Sequence, residues 1–105
     1  MMNEKKLSVY DLIASQTADD DKKGDIVYKK IMDQTKDGNG IAIILDFSNI
    51  ELLNTAFLNN AIGKLFKKNA FDFSKNRIRI INIDETMVDL VQETIAVARE
   101  RYAVV

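Results

Sequence analysis

The sequence predicts a small α/β domain with a largely parallel sheet and helices packed on it, in the order β-α-β-α-β-α. Three segments carry that prediction. Residues 41–47 (IAIILDF) form an apolar run without alternation, the pattern of a central strand covered on both faces or flanked by parallel neighbours. Leu58, Ala61, Ile62, Leu65 and Phe66 then recur at helical spacing, with Asn59, Asn60, Lys64, Lys67 and Lys68 on the other faces. Residues 77–83 (RIRIINI) alternate arginine with isoleucine before turning apolar, as expected of a strand with one face partly exposed.

The remaining elements follow in chain order. Residues 1–4 read as a loose polar lead-in, and residues 6–13 (KLSVYDLI) as a first strand. A polar, acidic stretch over residues 14–23 (ASQTADDDKK) precedes a helix in which Val27, Tyr28, Ile31 and Met32 share a face, ending near Lys36. Its start is open between a capping box formed by Thr17 with Asp20 and a cap at Asp21. The first of these would place Gly24 inside the helix, at a cost of roughly 1 kcal/mol relative to alanine. Asp37-Gly38-Asn39-Gly40 tolerates positive φ and closes that helix with a turn. A loop over residues 48–54 leads into the second helix, residues 69–76 interrupt its period, and Asp84 caps a third. Met87, Leu90, Val91, Thr94, Ile95 and Ala98 line one face of this last helix, with Tyr102 extending the stripe. No repeat or linker divides the chain, so residues 1–105 form one domain.

Composition narrows the function. Fifteen Lys and Arg against sixteen Asp and Glu leave a net charge of -1, so no whole-molecule field attracts nucleic acid or an anionic membrane. The chain contains neither His nor Cys, which removes Ser-His-Asp triads, Cys-His pairs and ordinary structural zinc sites. No apolar N-terminal run suggests a leader or a span, and cytoplasm is the expected compartment. The expectation is a non-enzymatic protein that needs no metal or other cofactor and acts by docking on another protein.

Several local patterns have plain structural explanations. Asp19, Asp21 and Gly24 echo a calcium loop, but Lys23 and Lys30 stand where that loop needs oxygen ligands. Gly38-Asn39-Gly40 precedes a strand, whereas phosphate cradles follow one and open a helix. Asp46, at the end of the central strand, resembles the phospho-acceptor position of response-regulator receivers, yet the acidic pair and lysine of such sites have no counterpart here. Bonding to backbone amides of the following loop accounts for it better. Lys64, Lys67, Lys68, Lys75, Arg77 and Arg79 cluster in sequence as a candidate basic patch, but three of them sit at a helix C-terminus and complement its dipole, which suffices to explain them.

The most informative stretch is residues 45–63, LDFSNIELLNTAFLNNAIG. A strand ends at Asp46, a loop carries Leu52 and Leu53, and Asn54-Thr55 opens a helix, so that a hydroxyl stands at a helix start beside apolar loop residues. A purely structural assignment, with Asn54 or Thr55 as cap and both leucines in the core, fits the same residues. The stretch resembles the signature of STAS domains, the family of anti-sigma factor antagonists and of sulfate-transporter tails. Leu45-Asp46-Phe47 corresponds to that family's strand end, Asn54-Thr55 to its Asp-Ser, and Leu58 and Gly63 to apolar and small helix positions. It is most similar to a STAS-like group without assigned function, in which an apolar-Asp-Phe strand end and a hydroxyl-rich turn before Phe recur, as in Thr55-Ala56-Phe57. Asn54 stands where the antagonists carry an acidic residue, and Ala56-Phe57 where they carry a small residue followed by Gly.

The resemblance implies a regulatory module that docks on a partner, such as an anti-sigma factor or histidine-kinase-like ATPase, through Ile50, Leu52, Leu53, Ala56, Phe57, Asn59 and Asn60. It makes Thr55 the candidate phosphoacceptor, with Asp46 and Asn54 as its neighbours. Two other readings stay open: a homo-oligomerising scaffold built on apolar loop residues including Phe71 and Phe73, and a nucleotide-binding protein.

Overall fold

The computed structural model describes residues 3–103 and places them in two layers, a three-stranded parallel sheet and a set of helices. The elements run β1 (Asn3–Ser8), α1 (Val9–Ile13), β2 (Thr17–Ala18), α2 (Asp21–Asp33), β3 (Ile41–Asp46), β4 (Leu52–Leu53), α3 (Thr55–Ala61), a 3₁₀ turn (Gly63–Phe66), β5 (Arg77–Ile81) and α4 (Glu85–Arg101). The sheet order is β1-β3-β5, and β2 pairs with β4 as a separate two-residue parallel clasp.

Register divides the sheet into two unlike faces. Leu7, Leu45 and Ile80 stand side by side, as do Lys6, Ile44 and Arg79 one residue earlier. The period of two therefore sends Leu7, Ile43 and Leu45 toward the helices, where they are buried with Val27, Ile31, Phe57, Leu58, Leu65 and Val91. On the opposite face a shallow hollow is lined only by strand residues, among them Glu4, Ala42, Ile44, Arg77 and Arg79. Charges on the flanking strands keep this bare face wet, while the long stems beside Ile44 keep that residue covered.

The start of the chain departs from the sequence reading. The strand comes earlier, taking in Asn3 and Glu4 of the expected lead-in, and Val9–Ile13 is a helix; Met1 and Met2 lie outside the described residues. Val9, Leu12 and Ile13 sit at i, i+3 and i+4, so the apolar run satisfies a helix as well as a strand. Ser8 resolves the ambiguity, its Oγ accepting from the Asp11 amide at 3.1 Å, and Ala14 ends the helix at a φ of 54°.

α2 is capped by Asp20, not Thr17 or Asp21: its Oδ1 accepts from the Lys23 amide at 2.7 Å. The helix stops at Asp33 and not near Lys36, with turns filling the gap to Gly38 and Gly40, which take φ of 72° and 84°. Gly24 is inside the helix because α3 presses on it. A Cβ there would strike the Phe57 carbonyl oxygen and lie 2.9 Å from Cβ of Asn60, so the missing side chain is what lets α2 and α3 pack this closely. β5 is shorter than expected, ending at Ile81 before Asn82 turns at a φ of 56°. Asp84 does cap α4, accepting from the Thr86 amide at 2.8 Å, and Val91, Thr94 and Ala98 of its predicted stripe are buried.

Candidate functional site

The site is built where β3 ends. Asp46 is only 8% exposed and ties three strands together. Its Oδ1 accepts from the Ser48 amide (2.9 Å), the Ser48 hydroxyl (2.7 Å) and the Asn82 side-chain amide (3.0 Å), and Lys6 Nζ lies 3.4 Å from Oδ2. The Ser48 amide, with help from Asn82 and the Ser48 hydroxyl, holds this carboxyl well below the usual range, outweighing the opposite push of burial. Asp46 thus bonds the following loop as its sequence position suggests. Asn82 is a partner that the sequence reading missed, since 36 residues separate the two and only the fold brings them together.

From this corner the chain turns through Asn49 at a φ of 68°, drops Ile50 into the core, and rises again. The Gln16 carbonyl accepts from Glu51 N at 2.8 Å, and the Ala18 carbonyl from Asn54 N at 3.2 Å, so the β2–β4 clasp fixes the loop against a remote segment. Asn54 then caps α3. Its Oδ1 accepts from the Phe57 amide at 3.0 Å, while its Nδ2 donates to the Asp19 carbonyl at 2.8 Å. Asparagine serves here because it caps with one end and cross-links with the other, which an aspartate would not do.

This arrangement separates the residues named from the sequence into three groups. Leu52 (48% exposed), Thr55 and Ala56 face solvent, and Leu53 is half-buried. Among the described residues the Thr55 hydroxyl has no hydrogen-bond partner. Asn59 and Asn60 are half-buried, and Asn60 is committed to α2, donating to the Asp21 carbonyl and to Asp25 Oδ1 at 3.2 Å each. Ile50 and Phe57 depart from the expected contact surface. Phe57 is 0% exposed and lies on the same helical stripe as Ala61, four residues on, so it anchors α3 to the core. Both residues support the surface from beneath. Phe71 likewise turns inward, leaving Phe73 as the exposed member of that pair.

The acidic run beside this surface is largely spoken for. Lys23 Nζ reaches Asp19 Oδ1 and the Thr17 carbonyl, each at 2.9 Å, and its ammonium keeps the Asp19 carboxyl below its ordinary value. Asp20 caps α2, while Asp21 and Glu51 remain exposed. No group of three or more His, Cys, Asp or Glu able to hold a metal occurs among the described residues.

A parallel sheet whose central strand ends in a bonded carboxylate, followed by a tethered loop and a capped helix with an outward hydroxyl, makes this a small α/β domain of STAS-like architecture. The chain belongs to the family described as STAS-like domain of unknown function (DUF4325), which matches residues 23–87, from the first turn of α2 to the first turn of α4. Asp46, Asn54 and Thr55 all fall within the match. No curated protein and no solved structure matches the chain. Among the described residues no helix is long and apolar enough to cross a membrane.

Proposed function

We propose that this domain is a regulatory docking module and not a catalyst, with a partner protein seated on Leu52, Leu53 and Ala56 and with Thr55 in their midst as a phosphoacceptor. The observation that carries this reading is the contrast within one loop. Leu52 is 48% exposed while its neighbours Ile50 and Phe57 are rooted in the core. An exposed apolar tip on a fixed base loses little entropy when covered, which favours binding. The partner class, a histidine-kinase-like ATPase of the anti-sigma type, and the role of Thr55 rest on the STAS resemblance.

A phosphoryl group on Thr55 adds about -1.5 to -2 charges. It would add to the exposed carboxylate of Glu51, four residues earlier in the chain, so a partner surface complementary to the unmodified domain must then desolvate additional negative charge. Each ~1.4 kcal/mol of that penalty weakens binding tenfold. The test is titration calorimetry against the histidine-kinase-like ATPase encoded nearest to this chain, followed by intact-mass measurement after adding ATP. Binding should weaken at least tenfold in both Leu52→Asp and Thr55→Glu, with unchanged circular dichroism, and the mass gain should map to Thr55. Undiminished affinity in both variants would exclude this surface.

Self-assembly is the second reading, favoured by Phe73, which is 40% exposed and stacked on Phe66 at a centroid distance of 4.8 Å. Light scattering that shows one constant mass across a concentration series would remove it.

A further inference from the structure

The two edges of the sheet are not alike. On β1, Asn3, Glu4, Lys5 and Lys6 are all exposed, so polar and charged side chains cover both faces and blunt the edge. On β5 the faces differ: Arg77 and Arg79 are exposed on the bare side of the sheet, while Ile78 and Ile80 are half-buried on the helix side. β5 pairs with β3 alone, so along its outer side the backbone donors and acceptors have no ladder partner among the described residues. Neither arginine forms a salt bridge with a carboxylate among those residues; the ion pairs belong to Lys6, Lys23, Lys36 and Lys64. Beside Ile78 and Ile80 lies a largely apolar hollow of about 290 Å³ that also takes in Leu65, Phe66, Phe73 and Ile95, with the Arg77 and Arg99 side chains at its lining.

An added strand would present its side chains alternately to the two faces of the sheet. One set would meet two guanidinium groups that have no carboxylate partner among the described residues, Arg77 Nη1 donating only to the Phe73 and Asn76 carbonyls, the other the isoleucine pair above a largely apolar hollow. We propose that β5 accepts, by strand addition, an extended segment of a partner protein in which acidic residues alternate with apolar ones. The carboxylates lie over Arg77 and Arg79, and the apolar side chains cover Ile78 and Ile80 and enter the hollow. This edge shares no residue with the Leu52–Thr55 surface, so either can fail without the other.

The probe is a blocked, fluorescein-labelled heptapeptide of alternating glutamate and valine, read by fluorescence anisotropy. Saturable binding is expected, at least tenfold weaker for the lysine–valine counterpart and for the double variant Arg77→Glu/Arg79→Glu, whose circular dichroism should match the parent because both side chains are exposed. Methylating alternate backbone nitrogens of the peptide, in the register that faces the edge, should abolish binding. Equal binding by peptides methylated in either register would reduce the interaction to charge alone and overturn strand addition. No saturation up to millimolar peptide, or no loss in the double variant, would overturn it too. Growth of mass with concentration in the protein alone, suppressed by the double variant, would assign the edge to a second copy instead.

Discussion

Two halves of one short loop behave in opposite ways. From Asp46 to Ile50 the chain is tied to the rest of the fold: one carboxylate gathers three hydrogen bonds and a lysine, and Phe47 and Ile50 are buried. From Leu52 to Ala56, Leu52, Thr55 and Ala56 face solvent while Leu53 is half-buried against the core, and the polar bonding is carried by the backbone and by Asn54. The difference teaches that posture and contact are divided between neighbours. The first half sets where the second half stands, and the second half is left free to touch something else.

The sharpest way to break the contrast is to remove the anchor common to both halves. Phe57→Ala should cost about 3–5 kcal/mol in urea denaturation, because a fully buried aromatic leaves a cavity that its neighbours close only in part. Asp46→Asn comes next, with an expected loss of about 2 kcal/mol at neutral pH, since the charge that strengthens its hydrogen bonds is gone. That loss should depend on pH with a definite sign. The folded carboxyl titrates below its unfolded value, so its contribution is present in full above about pH 4 and fades as pH falls through the acid range. Urea midpoints of parent and variant should therefore draw together progressively as pH falls below about 4; a gap that stays constant would show that shape and not charge matters at the corner. The smallest effect sharpens the comparison from the other side. Leu52→Asp and Thr55→Glu, both on exposed positions, should change stability by no more than about 0.5 kcal/mol, even where they disrupt docking.

Much of this was legible in the sequence because burial imposes period. The run at residues 41–47 and the stripe at Met87 to Ala98 announce their elements, and the structure has them where the pattern puts them; the stripe from Leu58 to Phe66 is split, since α3 ends at Ala61 and Leu65 and Phe66 lie in the 3₁₀ turn that follows. What escaped was decided by contacts between remote residues or by one side chain choosing between two local options. Val9, Leu12 and Ile13 fit either period, and the Ser8 cap selected the helix. A clasp of two residues, β2 with β4, is too short to leave a pattern of its own. The Asp46–Asn82 bond joins the ends of two neighbouring strands 36 residues apart in sequence and has no local signature. At the site, the exposure of Leu52 and Thr55 followed from their place between a loop and a helix start. Phe57 was assigned to the wrong side although a signal existed: counting four residues back from Ala61 puts it on the buried stripe.

The clasp has a practical corollary for anyone who would carry this loop elsewhere. Its hydrogen bonds run from residues 51–54 back to the carbonyls of Gln16, Ala18 and Asp19, on a segment more than thirty positions upstream. A synthetic fragment spanning residues 45–63 would possess all the side chains and none of the scaffolding that aims them. Transplanting the sequence into another protein would fail for the same reason unless the upstream turn travelled with it.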